Sequence, residues 1–430
     1  MARYRIVAAM LVSACTLAAC GQPTGGTAHP SASSAVPTTA LGSLPTASTA
    51  PSTAGQWLTY HRDIARSGDD PSEPNVSTVS QLWQAKVDGQ VYAEPLVDGG
   101  RVIVATENNT VYSLDAATGQ VVWSTSLGAP VPGSDMPCGN IDPSGITGTP
   151  VIDPADGVVW VVAFVGPGEH QLVAVDLADG RVRSRQPIVL PGVDALAEQQ
   201  RGALTVEHGN VYVSFGGLYG DCGNYRGFVV SFPTTGSGTQ TTFGVPTAHQ
   251  GAIWSPPGPA VTSAGSLVVA TGNGASTSSY DDGDSVIALS PTLQVIGTFA
   301  PANWVQLNET DQDLGSVSPT LVGNEIFQVG KDGVGYLLDA DNLGGIGGQL
   351  YAAQVCSAPA FGGTAVDGSV VIVPCLDGLT AIQVEANHIF RTVWSQPSVV
   401  SSAPVVAAGR VWAVTRGGRL AELDEQTGSV

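Results

Sequence analysis

From residue 93 onward the chain alternates short runs rich in Val and Ile with polar, glycine-bearing breaks. The clearest stretch joins Ala93-Glu94-Pro95-Leu96-Val97, Arg101-Val102-Ile103-Val104-Ala105 and Thr110-Val111-Tyr112-Ser113-Leu114. It then turns through Asp115-Ala116-Ala117-Thr118-Gly119 and ends in Gln120-Val121-Val122-Trp123. Three β-branched runs, a turn and a fourth run predict a four-stranded antiparallel meander. Asp suits that turn because its carboxylate bonds the backbone two residues on, and Gly because it takes a positive φ.

Six further copies, progressively weaker, start near Gly148-Thr149-Pro150, Gly202-Ala203-Leu204, Gly258-Pro259-Ala260, Ser318-Pro319-Thr320, Ser357-Ala358-Pro359 and Ser402-Ala403-Pro404. The turn recurs as Asp176-Leu177-Ala178-Asp179-Gly180 and Asp424-Glu425-Gln426-Thr427-Gly428. Radial repetition of such sheets predicts an all-β, seven-bladed β-propeller with four-stranded antiparallel blades. The seventh copy stops short of its fourth run, and Leu82-Trp83-Gln84-Ala85-Lys86-Val87 has the look of that missing strand. An N-terminal strand would then close the ring and remove the sheet edges that invite aggregation. Segments 129–145, 187–201, 244–255 and 299–315 lengthen the links between blades, and 216–227 and 273–284 lengthen the links between second and third strands. In an antiparallel blade both kinds of link emerge on one face, which predicts a decorated face that carries the function.

Ahead of the propeller the pattern changes. Arg3 and Arg5 precede an apolar stretch, Ile6 to Leu17, that is short for a membrane span. Residues 21–55 are almost wholly Gly, Pro, Ser, Thr and Ala, the composition of a flexible tether with an end-to-end distance of about 30–35 Å. The expected organisation is a signal peptide at 1–19, a lipidated Cys20 with its tether to 55, and a propeller over 56–430. Composition adds exclusions. The formal charge is −20, and Lys86 and Lys331 are the only lysines, so no cationic stripe exists for nucleic acid. Four cysteines lie beyond the leader, in no zinc-binding spacing. An exported chain with an even number predicts disulfides. Cys356 and Cys375, on neighbouring strands of blade six, are expected to pair, which leaves Cys138 for Cys222.

Two resemblances sharpen this reading. Leu17-Ala18-Ala19-Cys20 resembles a bacterial lipobox, which implies lipidation of Cys20 and a membrane-anchored, extracytoplasmic protein; Val12-Ser13-Ala14-Cys15 is a rival box, and an ordinary signal peptide is the plain alternative. The repeats, together with Trp57-x-x-Tyr60-His61-x-Asp63-x-x-Arg66, resemble the PQQ-like repeat propellers, which include quinoprotein alcohol dehydrogenases and the bacterial outer-membrane assembly lipoprotein. The resemblance to the dehydrogenases implies that Trp254 stacks a pyrroloquinoline quinone (PQQ), that Asn273 and Asp311 ligate calcium with Asp311 as base, and that Lys331 contacts the quinone oxygens. Asp221 would stand in for a calcium-ligating Glu. Such chemistry is coherent, since calcium takes oxygen ligands and polarises a carbonyl.

The departures weigh the other way. Cys138-Gly139-Asn140 offers one cysteine where that family has two adjacent ones, seven blades stand against eight, and no haem-attachment motif is present. Each residue also has a plain structural reading: Trp254 as packing between blades, Asn273 as a tight turn, Asp311 and Asp313 as loop caps, and Asp281-Asp282-Gly283-Asp284 as a solvated acidic turn. The leading expectation is a monomeric binding or scaffold protein of the cell envelope, needing no cofactor and recognising a protein, glycan or small ligand on the decorated face. A calcium- and PQQ-dependent alcohol or sugar dehydrogenase is the alternative, and a purely structural repeat protein is the third reading.

Overall fold

The computed structural model describes residues 55–76 and 79–430; the leader, Cys20 and the tether up to residue 54 lie outside the described residues. Seven antiparallel sheets follow one another along the chain. Blade one comprises Leu96–Asp98, Arg101–Ala105, Thr110–Asp115 and Val121–Ser126. The molecule is a seven-bladed β-propeller, as the repeats predict. Its first hairpin turns through Gly99 and Gly100, both at positive φ (53° and 79°), the backbone that a two-residue hairpin turn demands. Apolar faces of adjacent blades interlock, as where Ile103 and Val111 meet Val159, Val161 and Val173.

The Asp-x-x-Thr-Gly turn has a second role that links one blade to the next. The Asp115 carboxylate accepts the Thr118 backbone N–H (2.9 Å) and hydroxyl (2.8 Å), and Gly119 sits at φ 71°. Each such glycine is covered by a tryptophan from the preceding blade. A Cβ on Gly180 would lie 2.6 Å from the Trp123 ring, and one on Gly428 would lie 2.5 Å from Trp394. The indole N–H groups donate to the turn carbonyls of Leu177 and Glu425 (3.2 and 2.8 Å). The repeat therefore needs Gly both for φ and for space.

Trp83 covers Gly119 in the same way and donates to the Ala116 carbonyl (2.9 Å). The segment Leu82–Val87 thus lies against blade one where the fourth strand of blade seven belongs, but it forms no ladder with Leu420–Asp424. The N-terminal strand that does join blade seven is Asp69–Asp70, parallel to Val406–Ala407 at the innermost edge. Expectation and structure differ because Trp packing and strand pairing, which coincide in the other repeats, are separated here.

Blade six also begins later than expected. Its first strand is Ala365–Asp367, so Cys356 lies in the connection before it. Cys356 still bonds Cys375, and Cys138 bonds Cys222. The lengthened connections do share one face. The Cys138–Cys222 disulfide joins two of them, Gln250 N donates to Tyr225 O (3.0 Å), Gly272 N to Ala252 O (2.9 Å) and Gly315 N to Thr271 O (3.0 Å).

Candidate functional site

Three connections of the decorated face bring Asn273, Asp311, Asp313 and Lys331 together. Asn273 lies between Gly272 and Gly274, and neither glycine has positive φ. They are needed for space: a Cβ on Gly272 would fall 2.5 Å from Asp313 Oδ1 and 3.2 Å from Trp254 Nε1, and one on Gly274 would fall 2.2 Å from Asp281 Oδ1. Asn273 is therefore no left-handed turn residue. Its backbone N–H donates to Asp313 Oδ1 (2.8 Å) and its side-chain amide to Asp311 Oδ1 (2.9 Å). Lys331 Nζ bridges both carboxylates, 2.8 Å from Asp311 and 2.6 Å from Asp313. Asp311, at φ 55°, keeps a largely exposed carboxylate, whereas the side chains of Asp313 and Lys331 are mostly covered (12% and 16% exposure).

Burial pushes the Asp313 carboxyl above its ordinary range although Lys331 opposes the shift. Burial works against the Lys331 ammonium too, but Asp313 and Asp311 outweigh it and hold its pKa above the usual lysine value. The Lys331 ammonium is thus held between the carboxyl groups of Asp311 and Asp313.

Beneath it lies Asp284, fully buried. One of its oxygens accepts Leu314 N (3.0 Å) and the other has no partner. Burial, with the neighbouring Asp313 charge, raises its carboxyl to about 8. The 281–284 segment is thus no solvated acidic turn, since Asp281 also turns inward and accepts Ala275 N (2.9 Å) and the Thr247 hydroxyl (2.8 Å). Asn273 Oδ1 is likewise buried without a partner.

Trp254 stands beside this cluster, half-buried, packed with Ala197, Tyr225 and Ala252. The Arg201 guanidinium lies over its ring, 5.7 Å from the centroid, a cation–π arrangement. The Phe361 ring lies nearby, its centroid 6.2 Å from that of Trp254. Asp221 does not join Asn273 and Asp311 by contact. Its carboxylate accepts the Tyr225 hydroxyl (2.7 Å), beside the disulfide at Cys222.

Of the residues singled out by sequence, Asn273, Asp311, Lys331 and Trp254 converge, and Asp221 is held apart. Arg201 and Tyr225 were not anticipated, and Asp284 was read only as part of a solvated acidic turn. No local pattern marks them, because each enters the site through a connection whose path is set by its neighbours. Among the described residues no group of three or more His, Cys, Asp or Glu is arranged to hold a metal ion. The oxygen set of Asn273, Asp311, Asp313 and Asp284 is nevertheless of the kind a hard cation takes.

The family model described as outer membrane protein assembly factor BamB matches residues 73–254. No curated protein matches the chain in sequence. Among solved structures, the quinohemoprotein alcohol dehydrogenase of Comamonas testosteroni is 17% identical, with a TM-score of 0.66 over 87% of this chain and 72% of that one. The quinohemoprotein alcohol dehydrogenase ADHIIG of Pseudomonas putida HK5 is 14% identical, with a TM-score of 0.67 over 87% and 71%. A europium-containing methanol dehydrogenase is 15% identical, with a TM-score of 0.62 over 86% and 85%. At these identities the structural likenesses establish the fold alone.

Proposed function

Since residues 73–254 match the BamB family model and the chain shares the propeller fold of the quinohemoprotein alcohol dehydrogenases, we propose that it is a ligand-binding protein of the cell envelope, with its site on the decorated face beside Trp254. The observation that carries this reading is that both features a quinone would use already have partners from the chain. Lys331 is clasped by Asp311 and Asp313, and Arg201 lies over the Trp254 ring. What remains open to a ligand is an aromatic edge and the largely exposed Asp311 carboxylate, while the unpartnered acceptor Asn273 Oδ1 is buried in the same site. Such a surface suits a hydroxyl-bearing ligand such as a glycan end, whose donors would satisfy the free acceptors. Titrating oligosaccharides into the full chain while following tryptophan fluorescence tests this. Saturable quenching that disappears in Asn273→Ala supports it, and an unresponsive signal across the glycan panel removes it.

The buried, unpartnered oxygens of Asn273 and Asp284 favour a second reading, a calcium- and PQQ-dependent dehydrogenase. Asn273 and Asp311 would then hold calcium, Lys331 and Trp254 would hold the quinone, and the cofactor would supply hydride acceptance with Lewis-acid help. In that case this chain's part is to orient an alcohol against Asp311, whose carboxylate accepts the hydroxyl proton. Dye reduction with alcohols or sugars in the presence of PQQ and calcium, lost in Asp311→Ala, would establish it over the binding reading.

Anchorage belongs to the same proposal: lipidation at Cys20 would place the domain on the extracytoplasmic side of a membrane. No helix among the described residues is long and apolar enough to cross one. Fractionation of wild type against Cys20→Ala decides the point, because loss of the lipid should release the protein from the membrane pellet.

A further inference from the structure

Arg201 enters the site from a short strand pair that leaves room for it. Glu198–Gln199 runs antiparallel to the end of Asn210–Gly217, with Gln199 opposite Gly216 and Glu198 opposite Gly217. Neither glycine has positive φ, and both are needed for space. A Cβ on Gly216 would fall 2.8 Å from the Ala252 Cβ and 3.2 Å from the Trp254 Cβ, and one on Gly217 would fall 2.7 Å from the Tyr225 ring. This close packing sets the Arg201 guanidinium over the Trp254 ring, 5.7 Å from its centroid.

The guanidinium is held there by neutral groups. Nη2 donates to the buried Gln199 at Oε1 and, more distantly, to Gly217 O (3.5 Å). Nε is buried without a partner, and Nη1 has none among the described residues. The carboxylates that act on it from a distance are engaged elsewhere. Asp221 accepts the Tyr225 hydroxyl (2.7 Å), and Glu107 accepts Gly145 N (2.6 Å) and the Thr147 hydroxyl (3.1 Å). Arg66 at the hub makes the contrast, since it gives hydrogen bonds to Thr59, Tyr60, Leu204, Thr205 and Pro259. Burial lowers the Arg201 pKa to about 10, so the group stays charged at neutral pH. A covered cation without an anion is costly, and here the chain supplies none.

Trp254 relates this cation to the rest of the site. A Cβ on Gly272 would lie 3.2 Å from Trp254 Nε1 and 2.5 Å from Asp313 Oδ1, so the indole N–H edge borders the carboxyl side while the guanidinium covers the ring. A ligand crossing Trp254 meets a cation on one side and the exposed Asp311 acceptor on the other. Resting on the glycan reading above, we propose that the ligand is an acidic glycan end, a uronic acid whose carboxylate pairs with Arg201 while its hydroxyls donate toward Asp311. A planar, singly charged carboxylate suits a guanidinium, whereas a doubly charged phosphate would be repelled by Asp311 and Asp313.

Titrating the full chain with an oligogalacturonate and with its carboxyl-reduced, neutral counterpart, followed by tryptophan fluorescence, tests this. The acidic sugar should bind about tenfold tighter at low salt, the worth of one charge-assisted hydrogen bond. That preference should shrink as salt is raised and vanish in Arg201→Gln. Equal affinities in wild type, or an undiminished preference in Arg201→Gln, would overturn the inference and leave the glycan reading standing. Binding of neither sugar, together with an unresponsive glycan panel, would overturn both; binding of other glycans but not of the oligogalacturonate removes this inference alone. Should the variant fail to fold, the salt series on wild type decides, because a preference indifferent to salt cannot come from an ion pair at Arg201.

Discussion

Replacing Lys331 by Met removes the ammonium from between Asp311 and Asp313 while keeping most of the side-chain volume. Breaking a buried pair by deleting one partner costs about 3–5 kcal/mol, because the other charge is left uncompensated. Only Asp313 is deeply covered here; Asp311 is 71% exposed, so water screens its share and the expected loss is about 2–3 kcal/mol. With an unfolding entropy of roughly 2 cal/mol/K per residue, a folded chain of this size should lose about 3–4 °C in Tm. The assay is thermal unfolding at pH 7 and at pH 5. Burial already raises the Asp313 carboxyl, and removal of Lys331 raises it further, so lowering the pH should recover part of the loss in the variant. Calcium should recover stability at pH 7 as well, by mass action on the freed oxygens. An unchanged Tm at pH 7 in the presence of a chelator would refute the reasoning, since the carboxylates would then have no need of Lys331.

Gly180→Ala should destabilise by about 2–4 kcal/mol, from the left-handed φ of 75° and a Cβ driven 2.6 Å from the Trp123 ring, measured by denaturant melts with Trp123 fluorescence as a second reading. Glu94, buried beside Trp57 and His61 and raised by burial to about 7, binds a proton on folding. Its contribution is therefore full below pH ~4 and lost as pH rises to 7, and Glu94→Gln should flatten that part of the stability profile in melts taken every half unit. Replacing both Cys138 and Cys222 by Ser opens a link across 84 residues and should cost about 2–4 kcal/mol, with greater protease sensitivity confined to 129–145 and 216–227 if the loops loosen before the blades.

Much of the fold is written in local pattern. A β-branched run, a turn residue and a glycine act on neighbours two to five positions away, so the strands, the Asp-x-x-Thr-Gly turns and the sevenfold repetition were legible directly. The decorated face followed too, because strand direction alone decides on which side a connection emerges. Asn273, Asp311 and Lys331 could be singled out by resemblance, yet their mutual bonds depend on close approaches at Gly272 and Gly330 that no spacing reveals. Asp284 looked like part of a hydrophilic turn, and only the fold of the connection shows it buried beneath Leu314.

Ring closure marks the boundary most clearly. Trp83 announced its packing partner through the same Trp-on-Gly contact that the other blades use, but the fourth strand that sequence assigned to it does not form. Whether that segment also laces to Leu420–Asp424 depends on the distance between two elements more than three hundred residues apart. The route of residues 57–70 through the hub, from Val97 of blade one to Val406 of blade seven, depends likewise on the blades already being in place. Local propensity determines the blades because its causes are local; the axis, the seam and the buried charges arise only where distant segments compete for the same space.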